Sequence, residues 1–509
     1  MRSIFARRAS ACAAVSLLAL AVHSRADAQE IGPRVGEVSF PNSGAPGAQA
    51  DFLVGLALLH SFEYPEARAR FRAARQIDPG FAMAYWGEAM AWNYSLWFEQ
   101  NADSARAVLG RLGDTPEARI ASAPTERERA WLGAVEALYG EGTKQQRDDA
   151  YAESMAELHG RFPEDPEAGA FHALALLGTA HEGRDHAIYM RAGAIAGEVF
   201  AAHPSHPGAA HYMIHSFDDP VHAPLGLRAA RAYSRIAPDA DHAQHMTTHI
   251  FLALGLWEEV VRANERADAV VDRDRAAAGR PPSFCGHYNE WLLYGYLMED
   301  RTADALNLLQ GCRDATSSGS DRMAASFSDM RSRYVVDSGD PGGSARAMRV
   351  DYGDRVGPQF RDAWLDGYVA GRAGDATATA SALERVRELR PLAEEEMAGE
   401  GFTDLAYSRR PEVLEMQIEG LYLLALGREA AGLERIGEAA ALEGELPLAY
   451  GPPAVDKPSH ELLGELLLEA GRPAEARAYF ETALSRTPGR IPAVLGLERT
   501  RAGSAATGR

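Results

Sequence analysis

One stretch near the C-terminus, SHELLGELLLEAGRPAEARAYFETALSRTPGR, constrains the fold more than any other part of the chain. Counted from Lys457, Gly464 falls at position 8, Gly471 at 15, Ala476 at 20, Phe480 at 24, Ala483 at 27 and Pro488 at 32. Small residues at 8, 20 and 27 let two antiparallel helices approach closely, and a proline ends the second helix. A hairpin of this kind cannot bury its apolar face alone. It has to stack on further copies of itself.

The ruler fits elsewhere. A unit starting at Ala48 has Gly55 at position 8, Ala67 at 20 and Pro79 at 32, and the next starts at Ala82. Weaker units start near Glu126, Pro166, Pro207, Asp241, Gly286, Ala325, Phe360 and Val413. These positions resemble the 34-residue tetratricopeptide repeat. The resemblance implies an all-α, right-handed superhelical solenoid of about eleven hairpins. No alternating strand pattern competes with it. We expect N-terminal hairpins over 48–205, central hairpins over 206–340, C-terminal hairpins over 341–499 and a disordered tail over 500–509. Insertions are expected around 180–186, 276–284, 391–410 and 440–456.

The N-terminus reads as a leader. Arg2, Arg7 and Arg8 precede the apolar run ACAAVSLLALAV, and Ala26-Asp27-Ala28 is an A-x-A cleavage site. Residues 1–28 are therefore expected to be removed, giving a periplasmic or secreted chain that begins at Gln29 with an extension over 29–47. The leader carries four Arg against Asp27, so its loss takes the net charge from −20 to −23. That charge excludes nucleic acid as a partner, and no later segment is apolar enough to span a membrane. Two cysteines remain, Cys285 and Cys312. An oxidising compartment permits a disulfide between them, and two separate thiols are the alternative.

The histidines carry the chemical signal. In a tetratricopeptide array, positions 2, 5, 9, 12 and 13 of each first helix face the concave groove. The unit at Pro207 puts His211 at 5, His215 at 9, Asp218 at 12 and Asp219 at 13. The unit at Asp241 puts His242 at 2, His245 at 5 and His249 at 9. Two HxxxH pairs thus stand in register on neighbouring helices. Imidazoles four residues apart share a helix face and can share an ion. His287, Glu290 and Tyr294 continue the row at 2, 5 and 9, with Asp329 and Arg333 beyond. Near the start His60 is at position 13 and Trp86 at 5.

We read His211, His215, His245, His249, Asp218 and His242 as ligands of a transition metal ion, Cu, Fe or Zn by ligand softness. Glu290, Asp219 and His287 are read as acid/base groups. Trp86, Tyr294, Asp329 and Arg333 are read as contacts to a small-molecule or peptide ligand in the groove. His222 could cap the site. His203 and His206 fall in a turn, and His172, His181 and His186 lie off the groove positions. P-loop, dinucleotide-glycine and nucleophile-elbow patterns are absent.

The segments LLHSFEYPEA, AMAYWGEAMAW, HPGAAHYMIHSFDDP, HMTTHIFLALGLW and PSHELLGELLLEAGR are similar to a group of secreted bacterial tetratricopeptide proteins. That resemblance implies fold and use of the groove, without a reaction. Two functions are expected. One is a metal-dependent enzyme, with oxidoreductase favoured over hydrolase because the ligands are mostly histidine. The other is a non-catalytic scaffold gripping a peptide or envelope protein.

Overall fold

The computed structural model describes residues 32–316, 321–340, 342–399 and 406–506. The leader lies outside them. The hairpins all belong to the body Arg34–Arg509.

The first hairpin pairs α1 (Gln49–His60) with α2 (Tyr64–Ile77), and the second pairs α3 (Ala82–Met90) with α4 (Ala102–Leu109). A short α5 (Pro116–Ser122) leads into α6 (Glu126–Leu138) with α7 (Lys144–Arg161), then α8 (Pro166–Leu177) with α9 (His186–Ala202). The centre is α10 (Pro207–Ser216) with α11 (Ala223–Ile236), α12 (Asp241–Ala253) with α13 (Trp257–Ala277), and α14 (His287–Met298) with α15 (Thr302–Thr316). Next come α16 (Asp321–Asp337) with the one-turn α17 (Ser344–Ala347), and α18 (Val356–Arg372) with α19 (Ala376–Gly399). The last are α20 (Arg410–Ala425) with α21 (Glu429–Glu445), α22 (Ser459–Glu469) with α23 (Pro473–Arg486), and a terminal α24 (Ile491–Ala506). Among the described residues the strands are β1 (Asn93–Tyr94) and β2 (Glu99–Gln100), a single antiparallel ribbon. The chain is an all-α tetratricopeptide-type solenoid.

The repeat positions do the packing they predict. A Cβ on Gly464 would stand 2.9 Å from the ring of Phe480, and one on Gly55 would stand 3.2 Å from Phe71. Position 8 is therefore glycine because the aromatic at position 24 lies on it. Gly471 turns one helix into the next at φ +72°, a left-handed conformation that favours glycine. Helix entries are capped as well. Thr125 with Glu128, and Thr143 with Gln146, form reciprocal capping boxes.

Three first helices begin earlier than the ruler places them, at Asp321, Val356 and Arg410 rather than 325, 360 and 413. The tail is also corrected. Helix α24 continues to Ala506, and Thr500 is buried. This helix covers the exposed apolar face that a last hairpin would otherwise present to water.

Both ends of the array fold back on its middle. Helix α1 packs on α10. The turn before α24 docks on the α12–α13 turn, where a Cβ on Gly255 would meet the Pro488 carbonyl at 2.6 Å and Trp257 Nε1 donates to Gly489 O at 2.8 Å. The extension forms a strap across helix entries. Glu37 N–H donates to Ser205 O, Ser39 N–H to Glu167 and Ser43 N–H to Glu128. Phe40 stacks on Trp86 at 5.3 Å. Residues 446–458 cross the inner face. There Tyr450 meets Tyr189 at 2.6 Å, and Arg333 donates to Pro453 O at 2.6 Å. Segment 446–458 thus lies against Arg333, one of the expected groove positions.

Candidate metal centre

Helix α10 places the first pair. His206 Nδ1 accepts from Ala209 N–H at 3.1 Å, capping the helix that Pro207 starts. One turn separates His211 from His215, so both rings leave the same face. The pattern recurs for His245 and His249 on α12.

The six imidazoles form two triads. His211 and His215 join His242, and His245 and His249 join His287. Within each triad one ligand nitrogen from every ring lies within 4.8 Å of the others. Ring centroids are 4.7 Å apart for His211–His215 and 5.2 Å for His211–His242. They are 5.2 Å apart for His245–His249 and 4.6 Å for His245–His287. The grouping differs from the expected one, in which the two HxxxH pairs share an ion. Each pair instead takes its third ring from position 2 of the following helix, because that position lies level with positions 5 and 9 of the helix before it.

Hydrogen bonds behind the rings decide where the lone pairs point. His211 Nδ1–H donates to the His60 carbonyl at 2.7 Å, and His249 Nδ1–H donates to Asp218 Oδ2 at 2.6 Å. His245 Nδ1–H donates at 2.9 Å to Oδ1 of Asn264, whose amide donates to Val260 O. These acceptors hold the proton on Nδ1 and leave Nε2 as a free base, the arrangement that ligating histidines use. His211 and His215 face each other Nε2 to Nε2 at 3.0 Å. That approaches the roughly 3.3 Å separation of two nitrogens at ~2.0 Å from one tetrahedral ion. Among the described residues, His242 Nε2 and His245 Nε2 are buried without a hydrogen-bond partner. Burial pushes His211 down to about 3, and burial with neighbouring imidazoles pushes His215, His242 and His245 well below the usual histidine range. All are neutral at pH 7, the form that binds metal.

Aromatic rings wall the triads. Phe62 sits 4.3 Å from His211, and its φ of +59° is unusual for a residue with a side chain. Trp291 lies 4.5 Å from His249 and 4.8 Å from His245. Phe62, Trp291 and Asn264 were not expected at the site. Their positions follow from tertiary packing, and only Trp291, four residues after His287, carried a helical-spacing signal.

The other expected residues take different places. Asp218 orients His249 from behind instead of offering a ligand atom to either triad. Asp219 accepts from Val221 N–H, His222 N–H and His222 Nδ1, and groups with His186 and His222 near the surface. His287 is a member of the second triad. Glu290 faces Ser326 and the Arg361 and Arg333 guanidiniums, with burial raising its carboxyl above the usual range. Trp86 is fully buried against Phe40, Trp131 and Phe171, so it touches no ligand. Tyr294 is also fully buried, under Arg490. Asp329 pairs with Arg361, and Arg333 holds Pro453 and Asp456.

His60 and His206 group with Glu167, but His60 is already satisfied by Glu167 at 2.6 Å and Tyr212 at 2.8 Å. His172 meets His159 at 3.1 Å. His181 lies 3.6 Å from Asp148. Cys285 and Cys312 form a disulfide, which settles the open alternative.

No family model and no curated protein matches the chain. Among solved structures it is similar to the human IFIT1 dimer with PPP-AAAA, at 14% identity over 88% of this chain and 95% of that one, TM-score 0.36. It is similar to Cut9 in the APC/C hetero-tetramer Cut9-Hcn1, at 12% identity over 91% and 78%, TM-score 0.35. For yeast Tom70 the figures are 10% identity over 90% and 89%, TM-score 0.28. At those scores the likenesses add nothing to the fold read from the hairpins. No described helix is long and apolar enough to cross a membrane.

Proposed function

We propose that this chain is an exported metal-dependent oxidoreductase whose transition metal is held by histidines of α10, α12 and α14 and whose substrate is a small molecule. The observation that carries this reading is the set of Nδ1–H anchors on His211, His245 and His249, which leave the Nε2 atoms to act as ligand atoms. An all-imidazole set suits Cu, Fe or Zn. Such an ion would supply electron transfer or oxygen chemistry. A carboxylate base for a hydrolytic reaction is not supplied by Glu290, which is turned toward Ser326 and the arginines.

Access is from the rim where His287 is exposed and Trp97 stands 46% exposed. The second reading is a non-catalytic scaffold that binds a protein or peptide, which the helical-repeat fold supports.

Protein purified from an oxidising compartment is tested by elemental analysis. The expected result is stoichiometric Cu or Fe, lost from a His211→Ala/His245→Ala variant of unchanged circular dichroism. Substoichiometric metal that survives the substitutions would sink the proposal.

A further inference from the structure

We infer that the ladder holds two ions rather than one, a pair of adjacent three-histidine centres. The inference rests on the metal-binding reading and goes beyond it in number and placement. The ligand atoms of His211, His215 and His242 all lie within 4.8 Å of one another, and so do those of His245, His249 and His287; the four histidines first expected to share an ion form no such group among the described residues.

Each triad has its own surroundings. The first is anchored by the backbone carbonyl of His60 and lies against Phe62. The second is anchored by Asn264 and the carboxylate of Asp218 and lies against Trp291. Carboxyl groups stand beside both. Asp218 is behind the second. Glu63, which accepts the backbone N–H of His242 at 3.2 Å, is beside the first. A donor set complete for one ion would be expected to share such partners. Here they are duplicated.

The triads also adjoin. His215 and His249 stand 6.0 Å apart by ring centroid. Three protein ligands leave at least one position open on each ion. Two open positions facing across this gap form a site for a small ligand that bridges both ions, as in two-metal centres generally. The class of ligand is a diatomic or other compact oxygen donor.

The test is titration of metal-free full-length protein with Cu(II) chloride, followed by equilibrium dialysis and electron paramagnetic resonance. Wild type is expected to take two equivalents with a weakened, spin-coupled signal. His215→Gln/His242→Gln and His249→Gln/His287→Gln are each expected to keep one equivalent with a normal isolated Cu(II) signal. Retention of the second ion in each variant reports that the fold survives.

One equivalent in wild type, abolished by either double substitution, would overturn the pair while leaving a single metal centre intact. Two equivalents with a fully additive signal would overturn adjacency. No uptake at all would remove the metal reading itself.

Discussion

His249 donates its Nδ1–H to Asp218 Oδ2 at 2.6 Å, from a helix one hairpin further along the array. The carboxylate fixes the tautomer and rotation of the ring. Asp218→Asn keeps the size of the group and removes its charge. Metal affinity of the second triad should fall by about 10–100-fold, the usual cost of losing such a partner. Competition against a chromophoric chelator measures it. Unchanged affinity would mean that Asp218 only packs there.

The repeat itself was legible in the sequence because its marks are local. Gly464 and Phe480 touch within one hairpin, and the same spacing recurs at Gly55 and Phe71. Four of the six histidines were legible for the same reason, since 34-residue register relates His211 to His245 and His215 to His249. What the ruler could not show was contact at long range. Trp86 sits at a groove position, yet Phe40 of the strap covers it. Arg333 and Asp329 looked available, yet segment 446–458 and Arg361 take them. Asn264 lies on a second helix, where the groove rule says nothing.

Acid should unfold the metal-free protein early. His211 is held down to about 3 in the fold, against about 6.5 in an unfolded chain. Above pH 6.5 neither state takes the proton. Below it the unfolded chain does and the folded one does not, so stability falls as pH drops toward 3. The slope is about 1.4 kcal/mol per pH unit for each such histidine. His215, His242 and His245 shift in the same direction. Urea midpoints at pH 7.5, 6.5 and 5.5 should decline, and more steeply below 6.5. A flat series would show that these rings are solvated.

The disulfide should matter to the site as well as to the fold. Cys285 lies two residues before His287, and its partner Cys312 is buried on α15. The bridge spans a sequence separation of 27 residues. By the chain-entropy model a loop of that length stabilises the fold by roughly 3–4 kcal/mol. Reduction, or Cys285→Ser/Cys312→Ser, should lower the thermal midpoint and weaken the second triad's metal while sparing the first. Equal loss from both triads would point to general unfolding instead of displacement of His287.

Gly208 offers the most selective structural test of the first triad. It lies in the first turn of α10, and a Cβ there would stand 2.2 Å from His60 Nδ1. His60 cannot yield easily, because Glu167 holds its Nε2 at 2.6 Å and Tyr212 its Nδ1 at 2.8 Å. Alanine improves helix propensity by up to about 1 kcal/mol, but overpacking a rigid contact costs about 1–3 kcal/mol. The clash should therefore prevail and push α1 away from α10. The His60 carbonyl, which anchors His211 at 2.7 Å, moves with it. Gly208→Ala is expected to lower the thermal midpoint and to reduce binding at the first triad at least tenfold. The second triad, whose anchors are Asn264 and Asp218, should keep its affinity. Chelator competition on the variant, against His249→Gln/His287→Gln as the reciprocal control, distinguishes these outcomes. Intact binding at the first triad would show that His211 does not depend on the contact between α1 and α10.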